Sequence, residues 1–159
     1  MVANHGQKTK YYHDIVGVNS RLDTIQAAIL LCKLPHLESY SNARRAVADA
    51  YDNAFANHPN IKTPVRNPKS THVFHQYTLT LCGVNRDAFQ DHLKNKGIPT
   101  MIYYPLPAHK QKGYASAQFQ EGSLRQTEIL CENVISLPIH TEMTPEIQNY
   151  IIESVLGFF

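Results

Sequence analysis

Asn19 and Arg21 lie two residues apart at the mouth of a strongly apolar run that starts at Leu22. Leu22, Ile25, Ala28, Ile29 and Cys32 recur at helical steps, with Asp23 in the first turn. The start of a helix presents free N–H groups and a partial positive charge, so it favours anions. An Asn amide and a guanidinium add directed donors, a set suited to a phosphate or a carboxylate. The same residues also fit a simpler arrangement, in which Asn19 or Ser20 caps the helix and Arg21 is solvated.

A second group sits near the middle of the chain. Tyr103, Tyr104 and Pro105 end an expected strand. Tyrosines there can stack on a sugar ring and bond its hydroxyls, or simply pack with their polar tips wet. His109 follows Pro105 and Pro107, where it can line the same pocket. His72 and His75 lie three apart on another expected strand and so point to opposite faces; no metal site is expected from them. Cys32, Cys82 and Cys131 are far apart, odd in number and without a CxxC, which reads as buried free thiols in a reducing cytoplasm. The sequence has no Gly-rich phosphate loop, no GxSxG and no HExxH, and no catalytic acid, base or nucleophile is assigned.

The elements that must position these residues follow from periodicity. Residues 1–20 are polar and read as a loop or extended lead. The apolar helix from Leu22 meets Pro35, which ends or kinks it. A second helical stripe runs through Leu37, Tyr40, Ala43, Val47, Tyr51 and Phe55, and His58-Pro59-Asn60 stops it. Residues 59–70 read as an irregular connection. Thr71–Leu81 alternates, with Val73, Tyr77, Leu79 and Leu81 on one face, as a strand does. Asn85 caps a helix that buries Phe89 and Leu93 and ends at Gly97. Ile98–Tyr104 reads as a second strand. Ser123 caps a helix to about Asn133, and Val134–Ile139 reads as a short strand. Thr144, Pro145 and Glu146 start a last helix, with Ile147, Ile151, Val155 and Phe158 buried. The expected class is α+β, a small sheet covered by helices after a long helical segment.

With 159 residues, 43% hydrophobic and 18% charged, the chain can bury a real core. A net charge of +2, with dispersed Lys and Arg, gives no sign of nucleic acid. No apolar run approaches transmembrane length, so no membrane partner is expected. The first residues carry no signal-peptide core, and Met1 reads as an internal start or a fragment boundary rather than a natural beginning.

Three stretches, taken together and in order, resemble the DegT-type sugar aminotransferases, fold-type I enzymes that use pyridoxal 5'-phosphate. The first runs from His5, Gly6 and Gln7 through Gly17, Asn19, Arg21, Leu22, Asp23, Gln26, Ala27 and Ala28 to Lys33 and Leu34. The second is Gly97, Ile98, Pro99 and Thr100 to Tyr103, Tyr104 and Pro105, followed by His109 and Gln111. The third is Ser136, Leu137, Pro138, Ile139 and His140 to Glu142, Met143 and Thr144. Tyr103 stands where the family commonly has His before Tyr-Pro.

The resemblance implies the small C-terminal domain of such an enzyme, residues 59–159, preceded by a loop and helical segment, residues 1–58, that link to a large cofactor domain. It implies that Asn19 reaches the cofactor phosphate of a neighbouring subunit and that Arg21 lies in the same composite site. The implied reaction is amino transfer, with glutamate as donor, to a keto-sugar on a nucleotide, in polysaccharide or cell-surface glycan synthesis by a cytoplasmic homo-oligomer. Tyr103, Tyr104 and His109 are the substrate-side candidates. The Schiff-base lysine of the family lies upstream of the residues matched, and none of Lys8, Lys10 or Lys33 corresponds to it. The chain alone is therefore expected to be inactive. A different class, a non-catalytic sugar-nucleotide-binding or protein-interaction module, fits the same residues.

Overall fold

A computed structural model describes residues 3–5, 7–9, 12–20, 22–111 and 124–159. The chain divides into two compact units, Met1–Glu38 and Ser39–Phe159.

In the first unit, β1 (Gln7–Thr9) pairs antiparallel with β2 (Tyr12–His13), with a shift of register between Gln7 and Thr9. A separate antiparallel bridge joins Asn4 to Asn19. Around it, the His5 N–H donates to Val18 C=O and the Ser20 N–H to Ala3 C=O, both at 2.9 Å. The polar lead is thus a laced, extended structure that fixes the backbone at Asn19. Helix α1 (Thr24–Lys33) follows, with Asp23 at its N-cap position and Lys33 in its last turn. Pro35 sits in a 3₁₀ turn, Leu34–His36, and α2 (Leu37–Phe55) begins directly after it. Proline supplies no N–H, so the helix cannot run through it unchanged. None of the α1 residues is buried, and Ile25 is 77% exposed.

The second unit is built on a three-stranded antiparallel sheet in the order β3-β4-β5: β3 (Ile61–Lys62), β4 (Tyr77–Leu81) and β5 (Val134–Leu137). Leu79 faces Ile135, and Leu81 faces Ile61. Alternation along β4 sends Tyr77, Leu79 and Leu81 into the core. On the other face, the Thr78 and Ser136 hydroxyls bond at 2.8 Å, so β5 is buried along its whole length without orphaned polar groups. Val47, Tyr51 and Phe55 of α2, Phe89 and Leu93 of α3 (Arg86–Asn95), and Ile151 and Val155 of α5 (Pro145–Leu156) complete one hydrophobic cluster with the sheet. The remaining helix, α4 (Arg125–Asn133), buries Cys131 and feeds directly into β5.

The helix ends carry the expected chemistry. Asn85 accepts the Ala88 N–H at 2.9 Å, and Thr144 accepts that of Ile147 with Pro145 in the first turn. Gly97, at φ +74°, takes the left-handed position after α3 that side chains resist. Ser123, the expected cap of α4, lies outside the described residues; Leu124 holds the N-cap position.

Three expected strands are shorter in the structure; the one expected over 134–139 ends at Leu137, before Pro138. The strand expected over 71–81 begins only at Tyr77, because the Phe74 N–H turns back to His72 Nδ1 at 2.8 Å and Phe74 adopts φ +45°. That turn drives the Phe74 ring into the core and leaves Val73 outside. The strand expected over 98–104 is reduced to one antiparallel bridge, Met101 to Ser136. Pro99 and Pro105 flank it, and proline cannot donate to a ladder.

Candidate functional site

The anion-binding candidates belong to the first unit. Asn19 is exposed, and its backbone is held by the bridge to Asn4. Asp23 closes no side-chain bond to the helix it precedes, and the first turn of α1 holds no acid. Backbone and amide donors at this place suit a phosphate. Arg21 lies outside the described residues. Among the described residues of this unit, these donors are of the kind that would hold the phosphate end of pyridoxal phosphate.

The second unit holds the other candidates and separates them. Tyr103 and Tyr104 are adjacent, with ring centroids 6.0 Å apart in an edge-on arrangement. Tyr104 lines a cavity of about 570 Å³ whose described walls include Pro105, Leu106, Ala108, Gln111, Thr127 and Cys131. Apolar walls with a few polar groups are what a ring-shaped ligand needs. Tyr103 instead lines a cleft of about 240 Å³ with His75, Gln76, Met101 and Pro138.

His109 lies beside the larger cavity, in the 3₁₀ turn Ala108–Lys110, and its Nε2 is 2.9 Å from Glu128 Oε1. Lys110 Nζ reaches Glu128 Oε2 at 3.1 Å. These two bonds, His109 first, hold the Glu128 carboxyl below its ordinary pKa and fasten the turn to α4. His72 and His75 stand in the turn before β4 rather than on a strand, and His72 is engaged with the Phe74 backbone.

His75 and Gln76 were not legible as cleft residues. Their position follows from the positive φ of Phe74, and a phenylalanine carries no sequence sign of that conformation.

The profile of the DegT/DnrJ/EryC1/StrS aminotransferase family matches residues 1–156. The chain is 42% identical to the pleiotropic regulatory protein of Geobacillus stearothermophilus, over 98% of this chain and 42% of that protein. It is 40% identical to dTDP-3-amino-3,4,6-trideoxy-alpha-D-glucose transaminase of Streptomyces venezuelae, over 87% of this chain and 36% of the relative. Among solved structures, S. venezuelae DesV in complex with a ketimine intermediate superposes with a TM-score of 0.88 at 37% identity, covering 99% of this chain and 42% of that one. A DegT DnrJ EryC1 StrS aminotransferase from Brucella abortus gives 0.85 at 36% identity, covering 99% of this chain and 41% of that one. The chain spans about two-fifths of the length of these relatives and corresponds to a C-terminal portion of them.

Proposed function

Because the chain belongs to the DegT/DnrJ/EryC1/StrS aminotransferase family, we propose that it serves as the C-terminal part of a pyridoxal phosphate-dependent aminotransferase acting on a nucleotide-linked keto-sugar. The observation that carries this is the coincidence of two things: the family match over residues 1–156, and an exposed Asn19, its backbone fixed by a bridge, just before a helix start that no side chain caps. Residues 59–159, with the buried face of α2 packed into their core, act as the small domain, and the residues before them join it to the cofactor domain. The complete enzyme works as a homo-oligomer in the cytoplasm, with glutamate as donor.

Pyridoxal phosphate, when bound, supplies the electron sink for moving an amino group. The residues of this chain bind and orient. Asn19 donates its amide to the phosphate of the neighbouring subunit's cofactor, and Arg21 adds a charged, directed donor to the same anionic site. On the substrate side, Tyr104 walls the larger cavity, whose rim turn His109 steadies through Glu128, and Tyr103 walls the separate cleft. No lysine of this chain carries the Schiff base, so the chain alone does not catalyse amino transfer.

The test joins the chain in frame to the lysine-bearing domain of a family relative and titrates the cofactor. Asn19→Ala removes one bond to a charged acceptor, worth roughly 1.5–3 kcal/mol, so affinity should fall about tenfold to a hundredfold. Mixed dimers should recover the loss at one site. The 159-residue chain alone, treated with cofactor and borohydride, should yield no specifically labelled lysine. A labelled lysine with turnover, or unchanged affinity in Asn19→Ala, would overturn the assignment.

A further inference from the structure

We propose that His75 and Gln76 recognise the ring of the sugar substrate, in the cleft they share with Tyr103. This rests on the nucleotide-sugar reading above and adds two residues that the family motifs do not mark.

Phe74, immediately before the pair, is the first observation. Its φ of +45° is one that a bulky residue avoids, and such strain persists only where the surroundings over-determine it. They do so here. The ring is 98% buried, 4.4 Å from the His72 ring and 6.1 Å from that of Tyr77, with the Arg66 guanidinium 4.8 Å above it. The Phe74 N–H donates to His72 Nδ1 at 2.8 Å, and Arg44 Nη1 donates to the Phe74 and His75 carbonyls at 3.3 and 3.4 Å. Every one of these contacts holds the backbone at 74–75 in one place. The result is that His75 and Gln76 line the cleft before the chain enters β4 at Tyr77.

The opposite wall is equally fixed. Met101 exchanges two backbone bonds with Ser136, at 3.2 and 2.7 Å, and Pro138 ends β5 beside it. A cleft with both walls held by the sheet meets its ligand without first ordering itself.

Its chemistry selects the ligand class. The described lining holds an imidazole, an amide and a phenol, and no Lys, Arg, Asp or Glu. A nucleotide phosphate or a dicarboxylate donor would find no charged partner there. Neither the His75 nor the Gln76 side chain makes a hydrogen bond among the described residues, so both are open to hydroxyl groups. Pro99, Met101, Pro138 and Ile139 offer an apolar surface to the C–H face of a ring. About 240 Å³ gives room for one pyranose.

The experiment is saturation-transfer NMR on the 159-residue chain with UDP-glucose and, separately, UMP. In the wild type the glucosyl ring protons should receive saturation. His75→Ala and Gln76→Ala should each weaken that binding by about threefold to tenfold, the effect of losing one hydrogen bond. Gln76→Glu, which keeps the shape and removes the amide donors, should do the same. UMP should respond equally to wild type and variants, and the β4 and β5 amide shifts should stay in place. Ring saturation that survives all three substitutions overturns this proposal and leaves the nucleotide-sugar reading standing. A wild type that transfers no saturation to the glucosyl ring overturns this proposal, while the nucleotide-sugar reading stands or falls on the cofactor titration of the joined enzyme.

Discussion

Tyr77 donates its buried hydroxyl to Asp52 Oδ1 at 2.6 Å, joining the central strand of the sheet to α2. Asp52 also pairs with Arg66 at 2.5 Å, and Arg66 reaches Asp49 at 2.6 Å. Tyr77→Phe removes one bond to a carboxylate that keeps its arginine. The expected loss is about 1–2 kcal/mol of stability, measured by urea unfolding, with little change in slope.

The same tyrosine and Tyr51 make the fold sensitive to base. Tyr51 is buried and donates to the Pro138 carbonyl at 3.0 Å. Burial pushes both phenols above their ordinary value, and the bond and charge of Asp52 push Tyr77 further. Below about pH 10 folded and unfolded chains both hold these protons, and full stability is present. Above it the unfolded chain releases protons that the fold retains. Stability then falls by about 1.4 kcal/mol per pH unit for each tyrosine. Unfolding midpoints measured from pH 8 to pH 11 should show this decline, and Tyr51→Phe should make it shallower.

Glu128 governs the rim of the larger cavity. Its carboxyl is held below its ordinary value, first by the bond to His109 and then by that to Lys110. The contribution is therefore present above about pH 4.3, the ordinary Glu value, and is lost as pH falls through the lower folded value. Glu128→Gln should free the turn Ala108–Lys110 at neutral pH. Faster amide exchange at Lys110 and Gln111, whose N–H groups bond within this turn, is the expected readout.

Leu79 and Val73 should differ sharply. Leu79 is fully buried in β4, so Leu79→Ala should cost about 2–5 kcal/mol. Val73 is 56% exposed, and Val73→Ala should stay within about 0.5 kcal/mol. Thermal unfolding of the two variants side by side distinguishes them.

That contrast shows where the sequence was readable. The alternation of Tyr77, Leu79 and Leu81 survives in the structure because it arises from strand geometry, while Val73 falls out of phase at the Phe74 turn. The caps at Asn85 and Thr144 and the glycine after α3 were legible because each answers a local backbone need. The α+β class follows from the same local patterns. The reach of the second strand was not legible, because one bridge at Met101 depends on Ser136, 35 positions away. The separation of Tyr103 and Tyr104 into two hollows likewise comes from tertiary packing, as does the attachment of His109 to Glu128. Asn19 was readable as a residue type, and its bridge to Asn4 was not.

The bridge at Met101 also bears on how the second unit meets other molecules. One margin of its sheet is the two-residue β3, which carries an exposed Lys62. The other margin, β5, is partly covered by Met101, with Pro99 two residues before it. Among the described residues, short margins, a lysine and a nearby proline leave no long row of open N–H and C=O groups for an incoming strand. This sheet is a poor template for the growth of fibrils, and copies of the unit that do associate must recognise one another by side chains rather than by shared backbone ladders.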